Sequence, residues 1–377
     1  MRTSLPAAAR TLVWVRVLNQ LGAYALSFLA VLAGPNLAGA ALVTFGVSAL
    51  ASRWAGAFLL DGFAPRTILA AGLAATGAAL LVLTLARGPV QMIAAIALVG
   101  LAFEIYEPAS QELLARAAEG EQRHHTFAVM GVALSAAGAL AGLLAAFLLP
   151  LGVRWLVAAD ALTCLAAAAI ALACLPRQAR RPSRTDTRRG ARWKPPARLW
   201  RLTVAGTAFA IGYLAVMMYL PLALLERGAP TWLPGLTLTG AALLAPLALW
   251  AADGLLTGRS HTMILATGAA ALGILALAMA VAGSPLLTIA AYLASSAVNS
   301  VLLGRWQSMI SDAAPEAERP RWFAFHGSSW GVAQPLVPPL AALATTLVGA
   351  VGAGAFLTAG VAFLLAPLAL RARTRQS

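Results

Sequence analysis

Charge is what this chain has least of. Only 11% of its 377 residues are Asp, Glu, Lys or Arg, and only 13 are acidic. A soluble domain carries about 25% charged residues, so a water-facing surface cannot be built from this composition. Cysteine is almost absent. Cys164 and Cys174 lie in one apolar run, about 15 Å apart along a helix, too far to bridge one another. They read as core thiols, and no metal site is expected. His124 and His125 form the one histidine pair, in a polar stretch without the carboxylate or cysteine company of a metal centre. They read as solvated. No Gly-x-x-x-x-Gly-Lys-Ser/Thr loop occurs, which excludes a pump powered by its own phosphate-binding loop. The apolar runs show no period-two alternation, which excludes a membrane β-barrel.

What fills the chain is apolar. Sixty per cent of residues are hydrophobic, and the mean hydropathy is +0.81. In lipid the backbone must satisfy its own hydrogen bonds, and runs of about 20 apolar residues do so as helices. The sequence predicts an all-α integral membrane protein of twelve transmembrane helices, at roughly 11–33, 37–59, 67–86, 90–113, 126–149, 153–175, 200–224, 233–252, 262–282, 286–310, 323–348 and 350–370. Gly34-Pro35-Asn36, Gly88-Pro89, Pro150-Leu151-Gly152 and Gly283-Ser284-Pro285 are short turns between spans. Near Gly349 only glycine marks the turn. The first span is longer than a secretory leader's apolar region and is interrupted by Arg16, Asn19 and Gln20, so it reads as a retained span.

The net charge of +14 would suggest nucleic acid in a soluble protein. Here its distribution points elsewhere. With the N-terminus inside, 21 of the 27 basic residues fall on the cytoplasmic side, three (Arg87, Arg154, Arg227) fall in outer loops, and Arg16, Arg53 and Arg305 fall within spans. That asymmetry predicts a multi-pass protein of the cytoplasmic membrane with both termini cytoplasmic. Ten basic residues between Arg177 and Arg201 mark a linker touching anionic headgroups; the bilayer, and no nucleic acid, is the expected partner.

The chain also repeats itself. At an offset of 196 residues, Ile68-Leu69-Ala70 falls on Ile264-Leu265-Ala266, Gly72 and Gly77 on Gly268 and Gly273, and Pro89 on Pro285. Gln111 falls on Gln307, Arg123 on Arg319, Phe127-Ala128 on Phe323-Ala324 and Gly131 on Gly327. Alanine coincidences are cheap in this composition; paired Gly, Pro, Gln and Arg are not. The expected organisation is two pseudo-symmetric six-helix bundles, 1–176 and 200–377, joined by the basic linker 177–199. Parallel six-span halves are the pattern of a rocker-type transporter, with its site between them.

On these features the chain resembles the major facilitator superfamily over nearly its whole length. The family's signature between the second and third spans reads Gly-x-Leu-Ala-Asp-Arg-x-Gly-Arg-Arg/Lys. The same place here runs from Ala57 to Arg66; Leu59, Asp61 and Arg66 match, while Ala57, Gly62, Ala64 and Pro65 depart. The stretch from Pro108-Ala109-Ser110-Gln111 to Arg123 is similar to the fourth-to-fifth span loop of drug-exporter-like branches. Their Gly-Pro-x-x-Gly-Gly element in the fifth span is represented by Gly138-Ala139-Leu140-Ala141-Gly142-Leu143, with two glycines and no proline. The resemblance implies that Asp61, Arg66 and Asp253 gate the cytoplasmic side and that the first and fourth spans line a cavity.

Ions inside spans cost about 2.5–3.5 kcal/mol each at the bilayer centre, so they are the informative residues. Glu104 and Glu107 share a helix face. Arg16 sits at similar depth to Glu107 and is expected to pair with one of them, either as a proton-coupling device or as a static tie between helices. Asp160 is expected at the outer water interface, and Arg53 is expected to snorkel. Asn19, Gln20, Tyr24, Tyr106, Tyr213, Asn299 and Arg305 are candidates for the substrate cavity. The expected function is a secondary active transporter, without cofactor and working as a monomer. It would move a small amphipathic or hydrophobic molecule by proton-coupled efflux. The alternatives are a nutrient importer, a lipid flippase and, more remotely, a membrane-embedded enzyme or sensor. An enzyme would call for clustered His, Asp or Glu at a membrane face, and only Glu104 and Glu107 cluster.

Overall fold

The computed structural model describes residues 6–117, 121–176, 194–256, 258–315 and 318–371. Twelve of its helices are long and apolar enough to cross a membrane. They are α1 (Ala7–Ala33), α2 (Ala38–Leu60), α3 (Pro65–Leu85), α4 (Pro89–Leu114), α5 (Val129–Leu151) and α6 (Val153–Cys174) in one half. In the other are α7 (Ala197–Glu226), α8 (Leu233–Ala252), α9 (His261–Val281), α10 (Pro285–Ala313), α11 (Arg321–Val348) and α12 (Val351–Leu370). All twelve overlap the spans read from the sequence, and no strand occurs among the described residues. The turn at Gly349 has a physical basis: its φ of 77° is left-handed backbone, which glycine adopts without a Cβ penalty. Large apolar side chains on the outward faces, such as Leu85, Val90, Trp250 and Leu347, are exposed, as lipid permits and water would not. The protein is a multi-pass membrane protein.

The chain divides into two compact units, Met1–Arg189 and Gly190–Ser377. In the first, α6 packs on α1 and α3, α2 on α4, and α5 on α1. In the second, α12 packs on α7 and α9, α8 on α10, and α11 on α7. The second set is the first shifted by six helices, so the 196-residue repeat in sequence is also a repeat in packing. The core of the first unit is a mix of Leu, Ile and Ala that includes Leu12, Val15, Leu69, Leu73, Ala167 and Ala171.

Two helices of the first unit are irregular. α1 tightens into a 3-10 stretch at Ala23–Phe28. α4 breaks at Glu104 and Ile105, between helical pieces Pro89–Phe103 and Tyr106–Ala117. The cause of the second break is Pro108, whose ring cannot sit against the carbonyl four residues earlier, that of Glu104. The freed Glu104 carbonyl accepts from the Glu107 N–H at 3.3 Å, and the Glu104 N–H donates to Ser52 Oγ on α2 at 3.0 Å. Glycines on both neighbours let the broken backbone come close. A Cβ on Gly56 would lie 2.7 Å from the Ile105 carbonyl oxygen, and one on Gly72 would lie 2.9 Å from the Tyr106 nitrogen.

Helix ends are held by charge. Arg154 Nη1 donates to the Thr84 carbonyl in the last turn of α3, and Arg227 Nη2 donates to the Met279 carbonyl in the last turn of α9 at 2.7 Å. Cations belong at helix C-termini. Both arginines are loop residues in the sequence reading; here they tie helix ends together. Conversely, Glu226 accepts from the Gly352 N–H at the start of α12 at 2.9 Å, where an anion belongs.

The close seat of the α4 break makes a stability prediction. Gly72→Ala should destabilise the detergent-purified protein by about 1–3 kcal/mol through overpacking, read as a lowered melting temperature. Gly304→Ala, where an added Cβ meets nothing within 4 Å, should leave it unchanged or raised.

Candidate functional site

The polar residues of the first unit gather around the α4 break. Arg16 on α1 donates from Nη1 to Glu107 Oε2 at 2.6 Å. Gln111 Nε2, one turn on, donates to the other oxygen, Oε1, at 2.8 Å, so both oxygens of Glu107 are engaged. Glu104 takes a different partner: Arg53 Nη2 on α2 lies 3.4 Å from its Oε2. Arg53 therefore does not simply snorkel. The break turns Glu104 toward α2 and Glu107 toward α1, although a regular helix would put both on one face. Each carboxylate has its own arginine.

Beyond Glu107 the network runs deeper. The Arg16 guanidinium lies 6.0 Å from the centroid of the Tyr106 ring, at the outer limit of a cation–π contact. Asn19 Nδ2 donates to the Tyr106 hydroxyl at 2.9 Å. The Cys164 thiol on α6 reaches two acceptors, Asn19 Oδ1 at 3.6 Å and Asp160 Oδ1 at 3.5 Å. Arg16, Tyr106, Asn19, Cys164 and Asp160 thus form one chain of polar contacts across α1, α4 and α6.

Asp160 corrects the sequence reading. It is 3% exposed, not at a water interface. It packs against Gly22 of α1, where any side chain would collide with it. No Lys, Arg or His lies within salt-bridge reach of it among the described residues. Its position two turns into α6 suggests the interface; the cover supplied by α1 is a tertiary fact. The sequence signal that could have found it is its i, i+4 spacing with Cys164, which puts both on one face.

The remaining candidates scatter. Gln20 and Tyr24 are half-buried on α1, Tyr24 within the 3-10 stretch. In the second unit Tyr213 packs edge-on against Trp330, with ring centroids 5.3 Å apart. Asn299 is buried, and its Oδ1 has no hydrogen-bond partner. Arg305 is half-buried. Arg66 donates to the Leu172 carbonyl, pinning the start of α3 to α6. The side chains of Asp61, Asp253, His124 and His125, and the linker 177–193, lie outside the described residues.

A cavity of about 250 Å³ opens beside the ion pair, lined by Leu12, Arg16, Ser110, Gln111, Met130 and Gly131 among others. Arg16 thus has two neighbours to serve, the Glu107 carboxylate and whatever enters the cavity. Among the described residues no group of three or more His, Cys, Asp or Glu is arranged to hold a metal.

Two outcomes follow from this geometry. Arg16→Met leaves Glu107 without its cation and should destabilise the protein by about 2 kcal/mol, somewhat less than a fully buried pair because both partners keep some exposure. The double variant Arg16→Met with Glu107→Gln should recover part of that loss in a thermal unfolding cycle. Asp160→Asn, which keeps the acceptor for Cys164 and removes an uncompensated carboxylate from an apolar site, should leave the melting temperature unchanged or raised; a fall of several degrees would mean that the carboxylate itself holds the helices together.

None of the curated proteins compared matches the sequence. The family model of the Major Facilitator Superfamily matches residues 12–252 and 225–377. Among solved structures, a variant of the peptide transporter POT in complex with sulfate is similar at a TM-score of 0.81 and 15% identity, over 98% of this chain and 94% of that one. A POT family transporter in complex with 5-aminolevulinic acid has a TM-score of 0.77 and 13% identity, over 98% and 96%. A variant of the nucleoside transporter NupG has a TM-score of 0.77 and 11% identity, over 96% and 98%. At such identities these likenesses establish the fold; none singles out a drug-exporter branch. With its repeated six-helix packing and a family match spanning both halves, the chain belongs to the Major Facilitator Superfamily and is a transporter, not an enzyme.

Proposed function

We propose that this transporter is proton-coupled and that Glu107, held by Arg16, is the coupling carboxylate. The observation that carries this is the ion pair at 2.6 Å beside a 250 Å³ cavity that Arg16 also lines. Protonating Glu107 removes the charge that holds Arg16. The freed guanidinium, a donor at every relevant pH, can then turn to a substrate oxygen. Substrate binding and proton binding become linked through one arginine, as linkage between two sites requires. Glu104 and Arg53 form the second pair, at a longer distance, and would tie α2 to α4 while the first pair opens.

The halves 1–176 and 200–377 act in this reading as the two rocking bodies, with 177–199 as a cytoplasmic linker and both termini inside. Asp61, Arg66 and Asp253 would bias the facing state. The cargo is a small molecule, in keeping with a cavity walled by Leu, Met and Gly together with Ser110, Gln111 and a single arginine. Efflux of an amphipathic compound is the direction favoured by the resemblance of the fourth-to-fifth span loop, from Pro108 to Arg123, while the fifth-span element lacks its proline and adds no support. A second reading, import of a nutrient by a monomer of the same fold, draws on similar structures named for peptide and nucleoside transport.

The test uses the full chain in proteoliposomes. Amphipathic cations, dipeptides and nucleosides are screened under an imposed pH gradient, with lumenal pH followed by a dye. Glu107→Gln should abolish gradient-driven accumulation, by tenfold or more, while exchange of substrate at equal pH persists. Full gradient-driven activity in both Glu104→Gln and Glu107→Gln would falsify proton coupling through either carboxylate.

A further inference from the structure

The second unit holds a cavity that no charged side chain lines. Its volume is about 100 Å³, and its walls are Gly206 and Phe209 from α7, Leu303, Trp306 and Gln307 from α10, and Phe323, His326, Gly327 and Trp330 from α11. The His326 imidazole stacks on the Trp306 indole, with centroids 5.4 Å apart and planes 27° from parallel. Phe209 meets Trp306 edge-on at 5.7 Å. Gly206 makes room for the imidazole, since a Cβ there would overlap it.

Two polar atoms in this box are unsatisfied. Trp306 is 6% exposed and His326 8% exposed, yet neither Trp306 Nε1 nor His326 Nδ1 has a hydrogen-bond partner. Buried polar groups are paired in the great majority of cases, so two orphans on stacked rings at one cavity are an unmet demand. The indole N–H can only donate, which fixes half of the demand as an acceptor.

The repeat gives this cavity an independent meaning. The 196-residue offset carries Gln111 onto Gln307 and Gly131 onto Gly327, and it carries Ser110, Met130 and Leu134 onto Trp306, His326 and Trp330. All five of the former line the cavity beside Arg16, and all five of the latter line the aromatic one. The two cavities are therefore the same place in two copies of one fold. Where the first copy carries an ion pair, the second carries aromatic rings.

We infer that the α7–α10–α11 cavity is a cargo-recognition subsite for a neutral planar group, an aromatic or heteroaromatic ring bearing a hydrogen-bond acceptor such as a carboxamide. Flat walls select a flat ligand. The absence of any lining charge selects against an ionised one, which would lose its hydration without compensation. A cavity of about 150 Å³ accepts benzene, so this smaller one takes a ring edge or a planar amide and leaves the rest of the molecule outside. The inference deepens the transporter reading by naming the chemistry of its cargo, but it does not depend on proton coupling.

The experiment is a titration of the purified full chain with nicotinamide, followed by saturation-transfer NMR without any pH gradient. Nicotinamide should bind saturably to the wild type, and cyclohexanecarboxamide (same amide, no flat ring) and nicotinate (same ring, ionised) should bind about tenfold more weakly or worse. Trp306→Phe, which keeps the ring and removes the N–H, should weaken nicotinamide by roughly tenfold. Gly327→Leu should abolish binding by filling space, since a Cβ at Gly327 meets nothing within 4 Å; should that variant misfold, Trp306→Phe decides. Because the titration is run without a pH gradient, it reads this subsite whether or not Glu107 couples protons. No saturable binding, equal binding of cyclohexanecarboxamide, or unchanged binding in Trp306→Phe overturns the assignment.

Discussion

Everything polar in this protein answers to one constraint: inside a bilayer there is no water to satisfy a donor, an acceptor or a charge. The backbone meets it by twelve helices, and Arg16, Glu107, Arg53 and Glu104 meet it by pairing. Where α4 breaks at Glu104 and Ile105, one turn before Pro108, the constraint becomes local and exacting. The Glu104 carbonyl is taken up by the Glu107 N–H and the Glu104 N–H by Ser52, and two glycines on neighbouring helices close over the broken turn. The same break points two carboxylates at two different arginines. A helix without Pro108 would crowd both anions onto one face, with Arg16 serving both.

Duplication gave the two halves one packing scheme and left their contents free to diverge. In each, the last helix packs on the first and third, and the fourth on the second. The cavity between the first, fourth and fifth helices recurs with them. In one copy it is bordered by Arg16 paired to Glu107; in the other it is walled by Trp306, His326 and Trp330. Charge pairing suits ion coupling, and flat uncharged walls suit recognition. One packing scheme thus offers two chemistries at equivalent places, with α1 and α4 interrupted where α7 and α10 run unbroken.

Asp160 and Cys164 show a different use of the same rule. Among the described residues, a thiol is the one hydrogen-bond donor to the carboxylate that α1 covers, and that thiol is shared with Asn19. The contacts continue through Tyr106 toward Arg16. The first unit thus holds a connected polar seam in an otherwise aliphatic core, and Arg16 stands where the seam meets the ion pair.

The sequence by itself determined the spans, their number and the internal repeat, because hydropathy, loop chemistry and a constant offset are local or additive properties. It also brought Arg16 and Glu107 to similar depth, since depth is a count of residues along a helix. It did not determine which arginine each glutamate takes, because that depends on the rotation introduced at Ile105. Asp160 looked like an interface residue for the same reason: burial is decided by what another helix lays over it, here α1 at Gly22. The aromatic box was hidden most completely. Its residues come from three helices, and aromatic side chains in a span read as packing until the structure shows their polar atoms unpartnered around a shared space.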